Sequence, residues 1–593
     1  MQPLIVLKLG GSVLADESSL PLAVHEVARW RREGFGVVAV VSALAGETET
    51  LLARAAEAGD GHATAALASL GEQRAAALLG VQLARSGVPA RVLQPAALRW
   101  RAEGDPLDAT PVALDCRPLR RALAEGEVVV VPGFFAHDGA GRAVLFGRGG
   151  TDLSALFLAA RLGARCRLVK DVDGLFTSDP AAPGPPPARF AEATWADALA
   201  TDGSIVQHKA VTFARARGQP FEVARLGGAV ASLVGAPRTR LAAALPTRPP
   251  LRVALLGLGT VGGGVLAALR RLPEQFEVVA ACVRDPRPAR RAPLPGLALD
   301  EDPVRTATRG ADVVVEALGG EDPARAALLA ALRAGSHVVS ANKAVLAAHG
   351  AELQREARRA GRSLRASAAA GGAMPLLPVL RRLAREERVL GLQAVLNGTS
   401  TFVLDALAGG ATPDEALDRA REAGFCERDC ARDLSGRDAA DKLVLACHAA
   451  TGLWLDPRAV ACEPIGEREL RDAQAGILVR QVATLELGRR PVARVRPERL
   501  PAESSLARTR GCGNAARIGS ELGVTELAGR GAGRWPTVEG VMGDLLELAR
   551  EESQSSGCTA TTPFVQVQPC GPAGSTIHVC SQMDVPAGKP GGQ

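Results

Sequence analysis

The run VALLGLGTVGGGVLAAL, residues 253–269, constrains the fold more than any other stretch of the chain. An apolar, strand-like segment passes through Gly257, Gly259 and Gly262 into a segment of helical character, with Thr260 and Val261 ahead of the third glycine. That arrangement aims backbone N–H groups and a helix N-terminus at a pyrophosphate. A lone G-x-G-x-x-G also marks a plain tight turn, but the strand before it and the helix after it favour a dinucleotide fingerprint. The next strand ends at Val283-Arg284-Asp285, where an acid suits NAD(H) and an arginine suits the 2′-phosphate of NADP(H). Arg284, with Arg287, Arg290 and Arg291 nearby, favours NADP(H); the plainer reading is a solvated basic loop.

A chain of 593 residues exceeds what one hydrophobic core supports, so several domains are expected. Residues 1–235 alternate β-rich runs (LIVLKL, VVAVVSAL, VVVVPGFF, RCRLVKDVDG) with alanine-rich helical segments, the pattern of a parallel-rich sheet with covering helices. A proline- and arginine-rich linker occupies 236–250. The α/β alternation then restarts over 251–375, helices lengthen over 376–550, and 551–593 reads as a flexible tail. The fold class is α/β. Net charge is +6 without long single-sign blocks, which disfavours a nucleic-acid-binding tail. The 11 cysteines show neither C-x-x-C pairs nor zinc spacing, so reduced thiols are expected, with Cys426 and Cys430 as small buried residues. No apolar run approaches the roughly 18 residues needed to span a bilayer, and no secretory leader is read at the start, so a cytoplasmic location is expected.

Chemistry-bearing residues concentrate at two places in the second half. Lys343, in VVSANKAVLA, follows a strand at the carboxyl edge of the sheet, where ligands of open α/β sheets sit, although a surface lysine is the bland alternative. The segment GFCERDCARDLSGRDAADK gathers Glu427, Asp429, Asp433, Asp438 and Lys442. Asp438 and Lys442 are four apart and share a helix face; an exposed ion pair is the plain reading, and the apolar VLACHAA that follows argues for burial.

In these motifs, together with VVEALGG at 314–320, LNGTSTFVL at 396–404 and GRGAGRWPT at 529–537, residues 251–550 resemble homoserine dehydrogenase. The resemblance implies a Rossmann-type domain joined to an α+β catalytic and dimerisation domain. It further implies reduction of L-aspartate 4-semialdehyde to L-homoserine with NAD(P)H. By position, Lys343 and Lys442 become the catalytic lysines, Glu427, Asp433 and Asp438 the carboxylates around substrate, and Asn397 and Thr399 polar groups beside cofactor or substrate. One departure is Ser367, eight residues before Pro375, where the family carries an acid near a monovalent-cation site.

In the first half, VLKLGGSVL places Lys8 at a strand end, ahead of the glycine turn Gly10-Gly11 and Ser12. Such a turn cradles phosphate and the lysine adds charge. LFGRGGTDLSALFLAARLGA sets Arg148, Thr151 and Asp152 at the mouth of a helix, groups that suit the carboxylate and ammonium of an amino acid. With VVSALAGETETLL at 40–52, SLGE at 69–72, PGFF at 132–135 and KDVDGLFTSDP at 170–180, residues 1–235 resemble aspartokinase, of the amino-acid kinase fold. The resemblance implies ATP with Mg²⁺ as phosphoryl donor, Lys8 at the transferring group, and Asp171 and Asp179 on the ATP side. Ser42, Thr48, Glu72, Arg148, Thr151 and Asp152 would surround L-aspartate. Departures are Val144-Leu145-Phe146, Ala181 after Asp179-Pro180, and a missing basic residue near His208, with Lys209 close by.

Together the resemblances imply a bifunctional enzyme of threonine and methionine biosynthesis with small-molecule substrates, acting as a homodimer or higher homo-oligomer. A dehydrogenase carrying an inactive kinase-like scaffold is the alternative. Relatives that fuse the two activities generally carry paired ACT domains between them, whereas the linker here is about fifteen residues, below the roughly 50 of a small domain. Feedback through an ACT module is therefore expected to be absent.

Overall fold

A computed structural model describes residues 2–55, 57, 59–183, 187–242, 249–284, 297–423 and 430–555. The β-branched runs of the first half form a nine-stranded sheet. Its order is Arg240–Leu241, Phe190–Ala193, Ser232–Val234, Phe221–Arg225, Arg165–Lys170, Leu4–Leu9, Gly36–Val41, Val128–Pro132, Ala90–Val92. The strands from Arg165–Lys170 to Ala90–Val92 pair in parallel, and apolar clusters bury both faces, as a doubly covered parallel sheet requires. The two-residue strand Arg240–Leu241 lies within the 236–250 stretch and pairs antiparallel with Phe190–Ala193. That pairing has no periodic signal in the sequence.

A four-stranded sheet, Asp108–Ala113, Arg101–Asp105, Phe135–His137, Ala143–Leu145, stands beside the large one. Trp100 opens it from below, fully buried, stacked on Phe157 at 5.8 Å and tilted against Phe146 at 5.7 Å. Phe157 belongs to helix Gly150–Leu162, so one indole ties the small sheet to the helix that carries Thr151 and Asp152.

The second half begins at Leu251 with an all-parallel six-stranded sheet ordered Ala298–Asp300, Phe276–Cys282, Leu251–Leu256, Val313–Glu316, His337–Ser340, Leu364–Arg365. A third sheet, Ala461–Cys462, Val492–Arg499, Val479–Glu486, Val389–Val395, Gly513–Ser520, Gly523–Arg530, is antiparallel except at its first pair. Helices Leu376–Glu386 and Arg437–Thr451 cover one face of it through a cluster that includes Leu380, Leu443, Leu392 and Ile518. Helix Arg534–Ser555 then returns to the parallel sheet, where Val538, Val541 and Leu545 pack against Val265 and Leu269. Among the described residues, no helix is long and apolar enough to cross a membrane.

Trp100→Ala is expected to destabilise the first half by about 3–5 kcal/mol, the usual cost of deleting a buried aromatic, and Trp100→Phe by less than half of that. Urea unfolding followed by circular dichroism checks the order.

Candidate active sites

The glycines of the fingerprint each meet a distinct steric demand. Gly257 adopts φ +98° at the strand end, and a Cβ there would sit 2.8 Å from the Ala317 carbonyl oxygen. A Cβ on Gly262 would lie 1.8 Å from the Gly257 carbonyl oxygen, so strand and helix approach closely only because it is absent. At Gly259 a Cβ would meet nothing and would project into the open cradle ahead of helix Thr260–Leu269. Thr260 and Val261 form the first turn of that helix. A tight turn, an open approach and close packing together fit a dinucleotide pyrophosphate. Arg284 is exposed just beyond strand Phe276–Cys282, and the basic residues 287, 290 and 291 lie outside the described residues.

Two strands away, Lys343 is the first residue of helix Lys343–Arg359, whose cap is Asn342. Asn342 Nδ2 donates to Gly320 O at 2.6 Å and to Glu316 Oε1 at 3.2 Å, while Ser340 Oγ donates to Glu316 Oε2 at 2.6 Å. Glu316 is fully buried and thereby fixes the start of the helix that presents Lys343. The sequence reading assigned it no role; the available signal is a glutamate closing the otherwise apolar strand VVVE.

Asp438 is the hub of this site. Its Oδ1 pairs with Lys343 Nζ, and its Oδ2 accepts from Lys442 Nζ at 2.8 Å and from Asn397 Nδ2 at 2.8 Å. Lys442 Nζ also donates to the Leu396 carbonyl oxygen at 2.6 Å, and Asn397 Nδ2 to Asp433 Oδ1 at 2.6 Å. Asp438 and Lys442 are both buried, so their pairing is no exposed helix-surface bridge. Burial alone would raise the Asp438 pKa, but Lys442 and Lys343 overcome it and hold the carboxyl well below the usual range. Burial likewise works against charge on Lys343, and the attraction of Asp438 outweighs it, leaving that ammonium more basic than usual. Asp433 moves the other way, pushed up by burial. Glu427 lies outside the described residues.

A second site of similar design lies in the first half. Lys8 Nζ sits 2.9 Å from Asp152 Oδ1, and Lys170 Nζ 3.0 Å from Asp152 Oδ2. Strands Leu4–Leu9 and Arg165–Lys170 are parallel neighbours, which sets the two lysines side by side over helix Gly150–Leu162. A Cβ on Gly10 would fall 2.3 Å from Lys8 Nζ, so the glycine leaves room for the ammonium. Burial lowers the Lys8 pKa to about 8 against the pull of Asp152. Asp152 thus lies between two lysines, of which Lys170 carries no motif role in the sequence.

Glu72 better answers the need for an ammonium acceptor. Its Oε1 accepts from Ala43 N at 3.3 Å and Thr48 Oγ1 at 3.2 Å, while Oε2 is buried without a partner. Burial pushes its pKa up to about 7. Ser42 stands one residue from Ala43, its N–H donated to Leu9 O at 3.1 Å, and Thr151 lies buried in the first turn of its helix. Arg148 is exposed in the glycine turn before that helix. Lys209 donates to the Phe146 carbonyl oxygen at 2.9 Å and pairs with Asp108, bracing the same turn. Asp171 is exposed just past strand Arg165–Lys170, and Asp179 caps Ala181 N at 2.8 Å; neither is joined to the Lys8 cluster.

Six described cysteines are free, but Cys430 is disulfide-bonded, which corrects the expectation of reduced thiols at that position. Among the described residues, no group of three or more His, Cys, Asp or Glu side chains is placed to hold a metal. Ser367 supplies no carboxylate for a cation; its Oγ donates to Asp544 Oδ1 at 2.6 Å and accepts from Arg381 at 3.2 Å.

A dinucleotide cradle beside a lysine–aspartate–lysine centre, and a second such centre beside an orphaned glutamate oxygen, define a chain with a dehydrogenase half and a small-molecule kinase half. Residues 3–224 match the family model described as "Amino acid kinase family". Residues 257–366 match "Homoserine dehydrogenase, NAD binding domain", and 375–546 match "Homoserine dehydrogenase". The homoserine dehydrogenase of Neisseria gonorrhoeae is 32% identical over 317 residues, covering 51% of this chain and 73% of that protein. That of Corynebacterium glutamicum is 32% identical over 353 residues, covering 56% and 79%. A solved homoserine dehydrogenase structure from Thiobacillus denitrificans aligns with a TM-score of 0.48 at 32% identity, over 53% of this chain and 76% of that one. The chain belongs to the homoserine dehydrogenase family. Joined to an amino acid kinase domain, these domains give it the make-up of a bifunctional aspartokinase/homoserine dehydrogenase.

Gly262→Ala is expected to weaken binding of the reduced nicotinamide dinucleotide about ten- to hundredfold, since overpacking of this kind costs roughly 1–3 kcal/mol. Fluorescence titration of the variant measures it, with the pocket at Lys8 unaffected.

Proposed function

We propose that the second half reduces L-aspartate 4-semialdehyde to L-homoserine, and that the first half phosphorylates L-aspartate to 4-phospho-L-aspartate. The observation that carries the first reading is Asp438, buried and shared by Lys343 from the dinucleotide-binding domain and Lys442 from the catalytic domain. Residues 257–262 would hold the pyrophosphate of a reduced nicotinamide dinucleotide, which would supply the hydride that the aldehyde carbon receives. Negative charge then develops on the substrate oxygen, and a lysine ammonium stabilises that charge and donates the proton. Asp438 orients both lysines, while Glu427 and Asp433 take the substrate's α-ammonium. NADP(H) is favoured over NAD(H) on the strength of Arg284. No step is assigned to a monovalent cation, because Ser367 is engaged by Asp544 and Arg381.

In the kinase half, Lys8 and Lys170 supply positive charge where the phosphoryl group leaves ATP, with Mg²⁺ entering on the nucleotide phosphates. The orphaned Glu72 oxygen accepts from the amino-acid ammonium, Arg148 closes on its α-carboxylate, and Ser42, Thr48 and Thr151 offer hydroxyls. Asp171 and Asp179 face the ATP side. A retained charged pocket favours an active kinase over a scaffold. Assembly of copies of the chain fits Leu390, Leu522 and Val524, exposed together at one end of the catalytic sheet. Sedimentation reads that assembly directly.

Lys442→Ala should lower kcat for semialdehyde reduction by about 10²-fold or more while leaving ATP-dependent aspartyl hydroxamate formation intact, and Lys8→Ala should do the reverse. A wild-type chain that reduces semialdehyde yet forms no hydroxamate would establish the scaffold reading. The kinase should show a bell-shaped kcat/KM for aspartate. Below about 7 Glu72 is protonated and cannot hold an ammonium; above about 8 Lys8 loses its charge. Glu72→Gln should remove the acid limb and keep the alkaline one.

A further inference from the structure

The two halves meet along helix Leu20–Arg32: His25 pairs with Glu539, Arg31 donates to Ala528 O at 2.7 Å, and Arg32 reaches the helix that holds one loop of the dehydrogenase. Arg32 Nη2, from the kinase half, lies 2.6 Å from Asp544 Oδ1 and 2.9 Å from Glu547 Oε2 on helix Arg534–Ser555. Asp544 is fully buried, and its other bonds go to a single residue: Ser367 N donates to Oδ2 at 2.8 Å and Ser367 Oγ to Oδ1 at 2.6 Å. The helix is shaped for this approach. A Cβ on Gly543 would lie 2.9 Å from the Arg32 guanidinium carbon, and one on Gly540 would lie 2.9 Å from Ala368 Cα.

The other end of the same loop is tied to the kinase half as well. Arg530 N donates to Gly87 O at 2.9 Å, and Ala373 N donates to Arg530 O at 3.1 Å. Residues 367–375 are thus held at Ser367 through Arg32 and at Ala373 through Gly87. Between these points Ala368 packs in the cluster that also contains Ala341, two residues before Lys343. The loop follows strand Leu364–Arg365, so it leaves the carboxyl edge of the dinucleotide sheet beside the strand that presents Lys343.

We infer that Arg32 of the kinase half is a positioning residue for the dehydrogenase, clamping residues 367–375 through Asp544 so that the Lys343 end of the reduction site is held in place. This rests on the reading of Lys343 and Asp438 given above. Asp544 is buried among Arg32, Arg365 and Arg381, and removal of Arg32 takes away the partner closest to its Oδ1 from outside the dehydrogenase half. The kinase domain therefore has a mechanical role in the second activity.

The test uses the full chain with Arg32→Gln and Arg32→Lys. For Arg32→Gln, amide hydrogen exchange over 366–375 should accelerate about tenfold or more as the local opening energy falls. The kcat for semialdehyde reduction should drop about tenfold through lost positioning, with NADPH affinity and hydroxamate formation within about twofold of wild type. Arg32→Lys, which keeps the charge, should recover most of both losses. Wild-type exchange and wild-type kcat in Arg32→Gln would overturn the inference, as would a parallel loss of both activities tracking a fall in Tm. If the wild-type chain reduces no semialdehyde, the functional reading fails by itself, and the exchange comparison still decides the clamp: acceleration supports it and no change overturns it.

Discussion

Each half of the molecule is organised around one buried carboxylate shared by two lysines. Asp438 stands between Lys343 and Lys442, and Asp152 between Lys8 and Lys170. Withdrawing an ion from water costs several kcal/mol, and a pair at contact distance returns only about 4 kcal/mol at the effective dielectric of protein near its surface. Such clusters add little to stability. What they provide is a pair of ammonium groups oriented by a shared buried carboxylate. A substrate that develops negative charge on oxygen, whether an alkoxide or a transferring phosphoryl group, completes the balance.

This constraint explains why the surrounding elements lie where they do. Lys343 and Asp438 belong to different domains, so the catalytic domain must close on the carboxyl edge of the dinucleotide sheet for the ion pair to form. Glu316 and Asn342 set the helix start on one side, and Asn397, capping helix Gly398–Ala408, fixes Asp438 on the other. In the kinase half the two lysines come from parallel neighbouring strands, which is the shortest way to set two side chains at one edge. Glycine at position 10 makes the space for one of them. The helix that presents Asp152 is in turn anchored by Phe157 on Trp100.

Much of this was legible beforehand. The roles of Gly257, Gly259 and Gly262 follow from sequence because the fingerprint is local: strand, turn and helix lie within a few residues and each glycine answers a steric demand of that turn. The pairing of Asp438 with Lys442 was also legible, being one helical turn apart. Lys170 and Glu316 were not, since each acts through a partner 18 or 24 residues away that only the sheet brings close. The six-stranded catalytic sheet had no reading of its own from periodicity, and entered only through resemblance. Its strands Val479–Glu486 and Val492–Arg499 carry arginines on a helix-covered sheet, which blurs the alternation. The edge strand Arg240–Leu241 is two residues long, too short to leave a pattern.

The sequence by itself determined the two α/β units, the short connection between them, the dinucleotide turn and most of the charged residues, because these depend on periodicity and local turn chemistry. Tertiary structure alone decided which charges meet. Asp152 holds two lysines, Glu72 is left with an unpaired oxygen, and Arg32 crosses from one half to the other to reach Asp544. Electrostatic partnership falls off over a few ångströms and depends on burial, and neither distance nor burial is written in sequence separation.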